Sequence, residues 1–206
     1  MNAKEVEYVV FDVETTGLSP LDGDRVVEIA AVKVKNGEII ASIDSLINPQ
    51  RAIPEEAQKI NKITDAMVVS APTAEEFLPK VIEFIGGGCL VGHNIKFDLD
   101  FLCYELNLAG RKLNDATPAL DTLKMAKRLL PQLSSYQLSN LGLYFGARID
   151  GTHRALADVK LTVTVLNRLL DLAGGQGFSL FQDVIKQFSV IKPIFRTKET
   201  NQANLF

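Results

Sequence analysis

The chain has 206 residues, of which 47% are hydrophobic and 23% are charged, and its formal net charge is −3. This composition suits one globular domain with a substantial core, and it excludes a disordered, collagen-like or coiled-coil chain. A mildly acidic protein is also a poor candidate for gripping nucleic acid along its length, because such binding depends on many basic contacts to phosphate.

No apolar run approaches the ~18 residues of a membrane helix. The first ten residues, MNAKEVEYVV, lack the basic and apolar segments of a signal peptide. The two cysteines, Cys89 and Cys103, both lie in apolar sequence, which is typical of buried thiols and not of a disulfide framework or a metal site. We therefore expect a cytoplasmic protein with no membrane partner.

Three strand-like segments open the chain, at residues 6–13, 26–35 and 38–47. The second and third are joined by Asn36-Gly37, a pair that favours a type I′ turn because both turn positions need a positive φ. The sequence therefore predicts an antiparallel three-strand meander at the start of the fold.

The pattern then changes to helices that alternate with short apolar strands. Helices are predicted to begin at Pro54 and after Thr73, a favourable N-cap residue. The later predictions are a strand at 89–92, a helix at 97–108, a strand within 113–120, and helices at 122–130, 135–145 and 155–172. This order predicts an α/β fold with a mixed central sheet flanked by helices. We place one domain at 1–173, followed at 174–206 by a glycine-rich linker, a short amphipathic segment and a flexible tail.

Two carboxylates sit at the end of the first predicted strand. Asp12 and Glu14 are two residues apart, so in a strand they point to the same face of the sheet. Taken alone, such a pair is most often a strand end that reaches solvent. The alternative is a divalent metal site, because a cation would relieve the repulsion and Mg²⁺ and Mn²⁺ prefer hard oxygen ligands.

Each of the two histidines precedes an aspartate by five residues. His93 follows a predicted strand and Asp98 falls in the first turn of the next helix, while His153 follows a glycine-containing loop and Asp158 lies on the helix after it. A single histidine in such a place is most often a cap or a core residue. Two instances, together with the strand carboxylates, favour a functional site.

Three segments occur along the chain in the order FDVETTGL, HNIKFD and HRALAD. Together they resemble the three motifs of the DEDDh 3′→5′ exonucleases, a family that includes the proofreading epsilon subunit of bacterial DNA polymerase III and ribonuclease T. The resemblance runs from about Tyr8 to Leu172. The residues that match the family motifs are Asp12, Glu14, Asp98, His153 and Asp158. One departure is Asn61-Lys62-Ile63-Thr64, where members often have His-Gly-Ile-Thr.

The resemblance implies a ribonuclease-H-like fold and hydrolysis of phosphodiester bonds at 3′ ends, with release of nucleoside 5′-monophosphates. It implies two divalent cations, Mg²⁺ or Mn²⁺, held by Asp12, Glu14, Asp98 and Asp158. His153 would be the general base, since an ordinary imidazole pKa of about 6.5 suits proton removal near neutral pH.

The resemblance also implies a binding site for the 3′ end of a single strand. The backbone of Thr15, Thr16 and Gly17 would hold the last nucleotide, and Leu18 would wedge between the last two bases. Asn94 and Phe97 would line the pocket, although Phe97 is equally typical of a core residue.

The last five residues, QANLF, resemble the bacterial sliding-clamp-binding pentapeptide. Gln202 would hydrogen-bond at the rim of the clamp pocket, and Leu205 and Phe206 would be its apolar anchors. Ala203 departs from the usual leucine or methionine, and QLSNL at 137–141 gives a similar match inside a predicted helix. The alternatives are a tail without a partner and a C-terminal segment that docks a polymerase subunit.

The function we favour from sequence is a DNA exonuclease of replication proofreading or repair. An RNA 3′-trimming exonuclease similar to ribonuclease T is the alternative, because the three motifs do not discriminate between the two. A non-catalytic replication adaptor is disfavoured, because all five motif residues are intact.

Overall fold

The computed structural model describes residues 1–148 and 154–195. Within these ranges the chain forms one sheet of five strands, in the order β3-β2-β1-β4-β5. The strands are β1 at Tyr8–Thr15, β2 at Val26–Lys35, β3 at Glu38–Leu46, β4 at Cys89–Gly92 and β5 at Ala119–Asp121. β2 pairs with β1 and with β3, both in antiparallel fashion. β4 pairs with β1 and β5 pairs with β4, both in parallel. The predicted mixed sheet is therefore confirmed.

The turn between β2 and β3 has the predicted conformation. Asn36 has a φ of 52° and Gly37 a φ of 82°, as a type I′ turn requires. The boundaries of β1 differ from the prediction, because the strand begins at Tyr8 and continues to Thr15. Pairing with β2 extends it, with Asp12 opposite Ala30 and Glu14 opposite Glu28. Both carboxylates thus belong to the strand itself.

The strand predicted within 113–120 is present only at the end of that range. Of residues 113–121, Ala119, Leu120 and Asp121 pair with β4, and the rest form no strand. Pro118 cannot donate to a ladder, because it has no backbone N–H, although its carbonyl accepts from Leu90 N at 2.9 Å. Leu113 buries its side chain from a loop, which explains the apolar pattern without a strand.

Eight α-helices lie within the described ranges: α1 Glu55–Asn61, α2 Asp65–Val68, α3 Ala74–Ile85, α4 Lys96–Leu108, α5 Thr122–Leu129, α6 Leu138–Tyr144, α7 Ala155–Gly175 and α8 Phe181–Phe188. Thr73 caps α3 in a capping box with Glu76. The helix predicted to begin at residue 135 begins instead at Leu138. α7 continues through Gly174 and Gly175, which the sequence placed in a linker.

The sheet is covered on both faces. On one face Val10 of β1 packs in a cluster with Val159 and Leu166 of α7, and on the other Val9 and Phe11 pack with residues of α3 and α4. This alternation puts Asp12 and Glu14 on the α7 face. They continue the line of Val10 toward the N-terminus of α7.

The C-terminal helix α8 packs against the same core as α7. Val184 and Phe188 of α8 are fully buried in that cluster. The division of the chain at residue 173 stays a prediction. No helix in the part of the chain that the structure describes is long and apolar enough to cross a membrane.

Candidate metal centre and 3′-end site

The candidate site lies where β1 extends past its parallel neighbour. In the described part of the chain, β4 pairs with β1 only at Tyr8, Val9 and Val10. The second half of β1, which carries Asp12 and Glu14, therefore has an open edge on that side. α7 begins near this overhang and places Asp158 in its first turn.

Three of the sequence-predicted carboxylates come together at the overhang. One carboxylate oxygen each from Asp12, Glu14 and Asp158 lie within 4.8 Å of one another, and all three residues are half-buried. Hard oxygen donors at such spacing are the ligand set that Mg²⁺ and Mn²⁺ prefer. The cluster therefore fits a divalent cation.

Asp98 approaches the same point from the other side of β1. It lies in the first turn of α4, is only 3% exposed, and its Oδ1 accepts a hydrogen bond from Val13 N at 3.1 Å. This bond uses a backbone N–H on the open edge of β1 and fixes the carboxyl beside Asp12. The fourth predicted carboxylate is thus adjacent to the three-residue cluster.

The crowding of carboxylates shifts their proton affinities. Burial, followed by the charges of Asp98 and Glu14, holds the pKa of Asp12 well above its usual range. Burial, followed by the charge of Asp158, raises the pKa of Glu14 to about 7. Burial also raises the pKa of Asp98, although its bond from Val13 acts in the opposite direction. A cation at this point would relieve all three effects.

A fifth carboxylate, which the sequence analysis missed, anchors the start of α7. Glu28 of β2 is only 5% exposed and pairs across the sheet with Glu14. Arg154 clamps Glu28 through Nε at 3.1 and 3.2 Å and through one Nη at 2.6 Å. Glu28 also accepts from Ala155 N at 3.0 Å. The signal that could have found it is a charged residue inside the apolar run VVEIAAV.

The turn after β1 is fixed by hydrogen bonds. Thr15 Oγ1 donates to Gly17 O at 2.5 Å, Thr16 Oγ1 donates to Asp24 at 3.1 Å, and Arg25 N donates to Thr16 Oγ1 at 3.0 Å. A Cβ at Gly17 would overlap the Asp24 carboxylate, so a side chain at this position would displace Asp24. Leu18 then projects outward and is 85% exposed.

The segment that departs from the family pattern supports this turn. Asn61 is buried, its Nδ2 donates to Thr15 O at 3.3 Å, and its Oδ1 accepts from Ile63 N at 3.0 Å. Lys62 takes a φ of 61° as the C-cap of α1. The asparagine thus braces the end of β1 through its backbone carbonyl.

His93 and its neighbours lie on the β4 side of the site. His93 Nε2 donates to Tyr136 O at 2.8 Å and its Nδ1 lies 2.9 Å from Thr122 Oγ1. Burial lowers the pKa of His93, so a neutral structural histidine fits these contacts. Asn94 is exposed with a φ of 64°. Phe97 is half-buried with its ring centroid 5.1 Å from that of Phe101, which gives it a core role on one side.

Several predicted residues lie outside the described ranges. His153 is one of them, and the tail residues Gln202, Leu205 and Phe206 are the others. Their proposed roles stay predictions from the sequence.

Comparisons with known proteins agree with this geometry. A family model described as "Exonuclease" matches residues 9–166. A DNA polymerase III subunit epsilon from Aquifex aeolicus is 37% identical over 171 residues, which cover 82% of this chain and 83% of that protein. A PolC-type DNA polymerase III from Clostridium perfringens is 40% identical over 160 residues, or 78% of this chain. The chain spans only 11% of that polymerase.

Solved structures show the same fold. Exonuclease X in complex with 5′-overhanging duplex DNA has a TM-score of 0.69 at 28% identity, over 87% of this chain and 98% of that one. Exonuclease I from E. coli with a dA16 oligonucleotide has a TM-score of 0.74 at 20% identity, over 84% of this chain and 42% of that one. These neighbours confirm the predicted ribonuclease-H-like fold. Since the family model covers most of the sequence, the chain belongs to this exonuclease family.

Proposed function

We propose that this protein is a metal-dependent 3′→5′ exonuclease that hydrolyses phosphodiester bonds at DNA 3′ ends and releases nucleoside 5′-monophosphates. The observation that carries the proposal is the carboxylate cluster of Asp12, Glu14 and Asp158. Such a cluster is unfavourable by repulsion and desolvation unless a cation compensates it. Membership of the exonuclease family supports the same reaction.

The cofactors of this proposal are two divalent cations, Mg²⁺ or Mn²⁺. Asp12, Glu14 and Asp158 would hold them, and Asp98 would support the second from its place beside Val13. When bound, such cations stabilise charge on the phosphate and lower the pKa of an attacking water. The chain itself supplies the ligands and their fixed positions.

The proton of the attacking water would be taken by His153, the residue that the motif assigns as general base. Its neighbour Arg154 is held by Glu28, and Ala155 donates to the same carboxylate. The start of α7 is therefore fixed on both sides of the Arg154–Ala155 peptide. A fixed helix start is what a base adjacent to it requires for alignment.

The 3′ end would bind at the turn after β1. Thr15, Thr16 and Gly17 are held by Asp24, Arg25 and their own hydrogen bonds, and these residues would present a rigid backbone to the last nucleotide. Leu18 is 85% exposed and follows Glu14 by four residues in the chain, which suits an apolar wedge between bases. Asn94 is exposed and precedes Asp98 by four residues. Phe97 would contribute its half-buried ring to the nucleotide pocket.

DNA is the substrate we favour. A DNA polymerase III subunit epsilon and a solved complex of exonuclease X with DNA are among the similar proteins, and this supports a role in proofreading or repair. RNA 3′-trimming is the alternative, since the carboxylate cluster would act on a phosphodiester group that both polymers share.

The partner proposal concerns the tail. Gln202, Leu205 and Phe206 would bind a sliding clamp, with a polymerase subunit as the alternative partner, in the cytoplasm. Deleting residues 202–206 should abolish co-elution with a clamp and leave the cleavage of short oligonucleotides unchanged. Undiminished co-elution would exclude the tail as the contact.

The activity is tested with 5′-labelled single-stranded DNA and an RNA strand of the same sequence. With Mg²⁺ or Mn²⁺ we expect a ladder that shortens by single nucleotides from the 3′ end and stops in EDTA. His153→Ala should lower kcat by about 10²–10⁴. DNA that stays intact with both metals would refute the proposal, and faster cleavage of RNA would favour the alternative substrate.

A further inference from the structure

A second feature adjoins the carboxylate cluster on the outer side of α7. A cavity of about 620 Å³ lies between α7 and the chain that follows α6, and Asp158 forms part of its wall. Its apolar lining includes Phe145, Leu156 and Leu161. Its polar lining includes three cationic residues, which are Arg148, Lys160 and Arg168. We call this cavity the basic groove.

The cations of the basic groove are available to a ligand. Arg148, Lys160 and Arg168 are all exposed. Across residues 1–148 and 154–195, none of the three lies within 4.0 Å of a carboxylate oxygen. By contrast, Arg25 and Lys96 each form an ion pair. Within the described part of the chain, three cations without a carboxylate partner therefore share one cavity wall, although the net charge of the chain is −3.

The length of the basic groove can be compared with a nucleic-acid strand. Its lining follows α7 from Leu156 to Arg168, which corresponds to roughly 18 Å at about 1.5 Å per residue. A stacked strand rises about 3.4 Å per nucleotide, so the lining runs about as far along α7 as five stacked nucleotides. The exposed cations suit phosphates. Phe145 packs partly against the core and also lines the groove.

We propose that the basic groove binds the phosphates of the substrate strand a few nucleotides upstream of its 3′ end. This inference rests on the proposed exonuclease function, because it takes the cleaved strand to pass Asp158. It also explains how an acidic protein retains a polyanion: the cations are concentrated at one place beside the reaction centre. A strand too short to reach the groove should gain nothing from it.

The first test measures binding without hydrolysis. A 5′-fluorescein-labelled dT12 strand is titrated in EDTA by fluorescence anisotropy with the wild type and with the variant Arg148→Ala/Lys160→Ala/Arg168→Ala. We expect the variant Kd at 50 mM salt to rise at least about tenfold. The slope of log affinity against log salt should fall by about 2, since each phosphate contact on a single strand contributes about 0.7.

A matched control separates the groove from net charge. Lys80→Ala/Arg111→Ala/Lys186→Ala removes the same number of charges from exposed residues outside the groove. Its Kd and salt slope should stay close to those of the wild type. An equal rise in Kd for both triple variants would overturn the proposal, because the loss of binding would then follow from the change in net charge alone.

The second test uses strand length. With Mg²⁺, the groove variant should raise KM for dT12 about tenfold and leave KM for a dinucleotide and both kcat values within about twofold. An equal rise in KM for both substrates would overturn the groove assignment. If the wild type cleaves neither substrate, the exonuclease proposal fails, while the anisotropy result still decides whether the groove binds the strand.

Discussion

Glu28 of β2 and Arg154, the residue immediately before α7, form an ion pair with several hydrogen bonds. Glu28 lies opposite Glu14 on the neighbouring strand, and α7 carries Asp158. The pair therefore connects two of the three carboxylates of the proposed metal centre. Arg154 also moderates the charge beside Glu14, since it lowers a pKa that burial and Asp158 raise.

Removing either partner should disturb the alignment of Asp158 with β1. We expect Arg154→Ala to lower kcat by about 10–100-fold, the usual effect of losing a residue that orients metal ligands. The free energy of unfolding should fall by about 1–3 kcal/mol, because Glu28 would remain buried with one partner fewer. Mn²⁺ affinity from calorimetry, kcat and chemical denaturation are the measurements.

A double-mutant cycle can separate the effect of the Glu28–Arg154 ion pair from a general loss of stability. Glu28→Gln/Arg154→Ala should lower the free energy of unfolding by less than the sum of the two single changes, because the buried charge of Glu28 is no longer left without its partner. Arg154→Lys should retain more of kcat than Arg154→Ala, since lysine supplies the positive charge but not the several hydrogen bonds of the guanidinium group. Lys59→Ala, which breaks the exposed Lys59–Glu55 pair, should leave kcat unchanged. Additive losses in the cycle would contradict the coupling.

The metal-free protein should become less stable as pH rises. The pKa of Glu14 is about 7 in the folded state against an ordinary 4.5, so between these values the folded state binds more protons than the unfolded state. Stability is then lost as pH rises through this window. Asp12 and Asp98, whose pKa values are also raised, act in the same direction. The expected loss from Glu14 is on the order of 2–3 kcal/mol.

Urea unfolding in EDTA at pH values from about 5 to 8 measures this dependence. Glu14→Gln should flatten it, and saturating Mn²⁺ should abolish it, because the cation replaces the proton as the compensating charge. Glu75→Gln on the exposed side of α3 is the control and should leave the curve unchanged. A stability that increases with pH in EDTA would show that the carboxylates are not repulsive.

The exposed leucine in the turn after β1 offers a test of 3′-end binding. Leu18 is 85% exposed, so Leu18→Ala should change the free energy of unfolding by no more than about 0.5 kcal/mol. If Leu18 wedges between bases, KM for a single strand should rise about five- to twentyfold. Leu21→Ala is the matched control, since Leu21 is 74% exposed on the next turn. Similar KM values for both variants would remove Leu18 from the site.

Sequence patterns predicted those parts of the structure that depend on near neighbours. β2 has the predicted bounds, and the Asn36-Gly37 turn has the predicted positive φ values, because strand patterning and turn chemistry are local. The end of β1 was placed two residues too early, since pairing with β2 overrides the poor strand propensity of acidic residues. Strand alternation predicted that Asp12 and Glu14 share one face, whereas only the motif resemblance joined Asp158 to them.

The role of Glu28 could not be predicted from local pattern. Its partner Arg154 is 126 residues away in the chain, and the pairing depends on how α7 crosses the sheet. The burial of α8 was missed for the same reason, because an amphipathic segment after a glycine cluster has no local signal for where it packs. Long-range contacts of this kind depend on the topology of the whole chain.

The turn after β1 depends on the absence of a side chain at Gly17. Because a Cβ there would overlap the Asp24 carboxylate, Gly17→Ala should displace Asp24 from Thr16 and Ser19, which it now binds. We expect stability to fall by about 1–3 kcal/mol and kcat/KM to fall at least tenfold. Asp24→Ala alone should lower stability and kcat/KM by less than Gly17→Ala, since it removes hydrogen bonds without introducing a steric clash.

The double variant Gly17→Ala/Asp24→Ala tests whether the requirement for glycine at position 17 is steric. If the close approach is the cause, removing the carboxylate makes room for the new Cβ, and the double variant should be more stable than Gly17→Ala alone. Denaturant midpoints of the four proteins measure this directly. A double variant less stable than either single one would mean that Asp24 acts only as a hydrogen-bond acceptor. The glycine would then be required for some other reason.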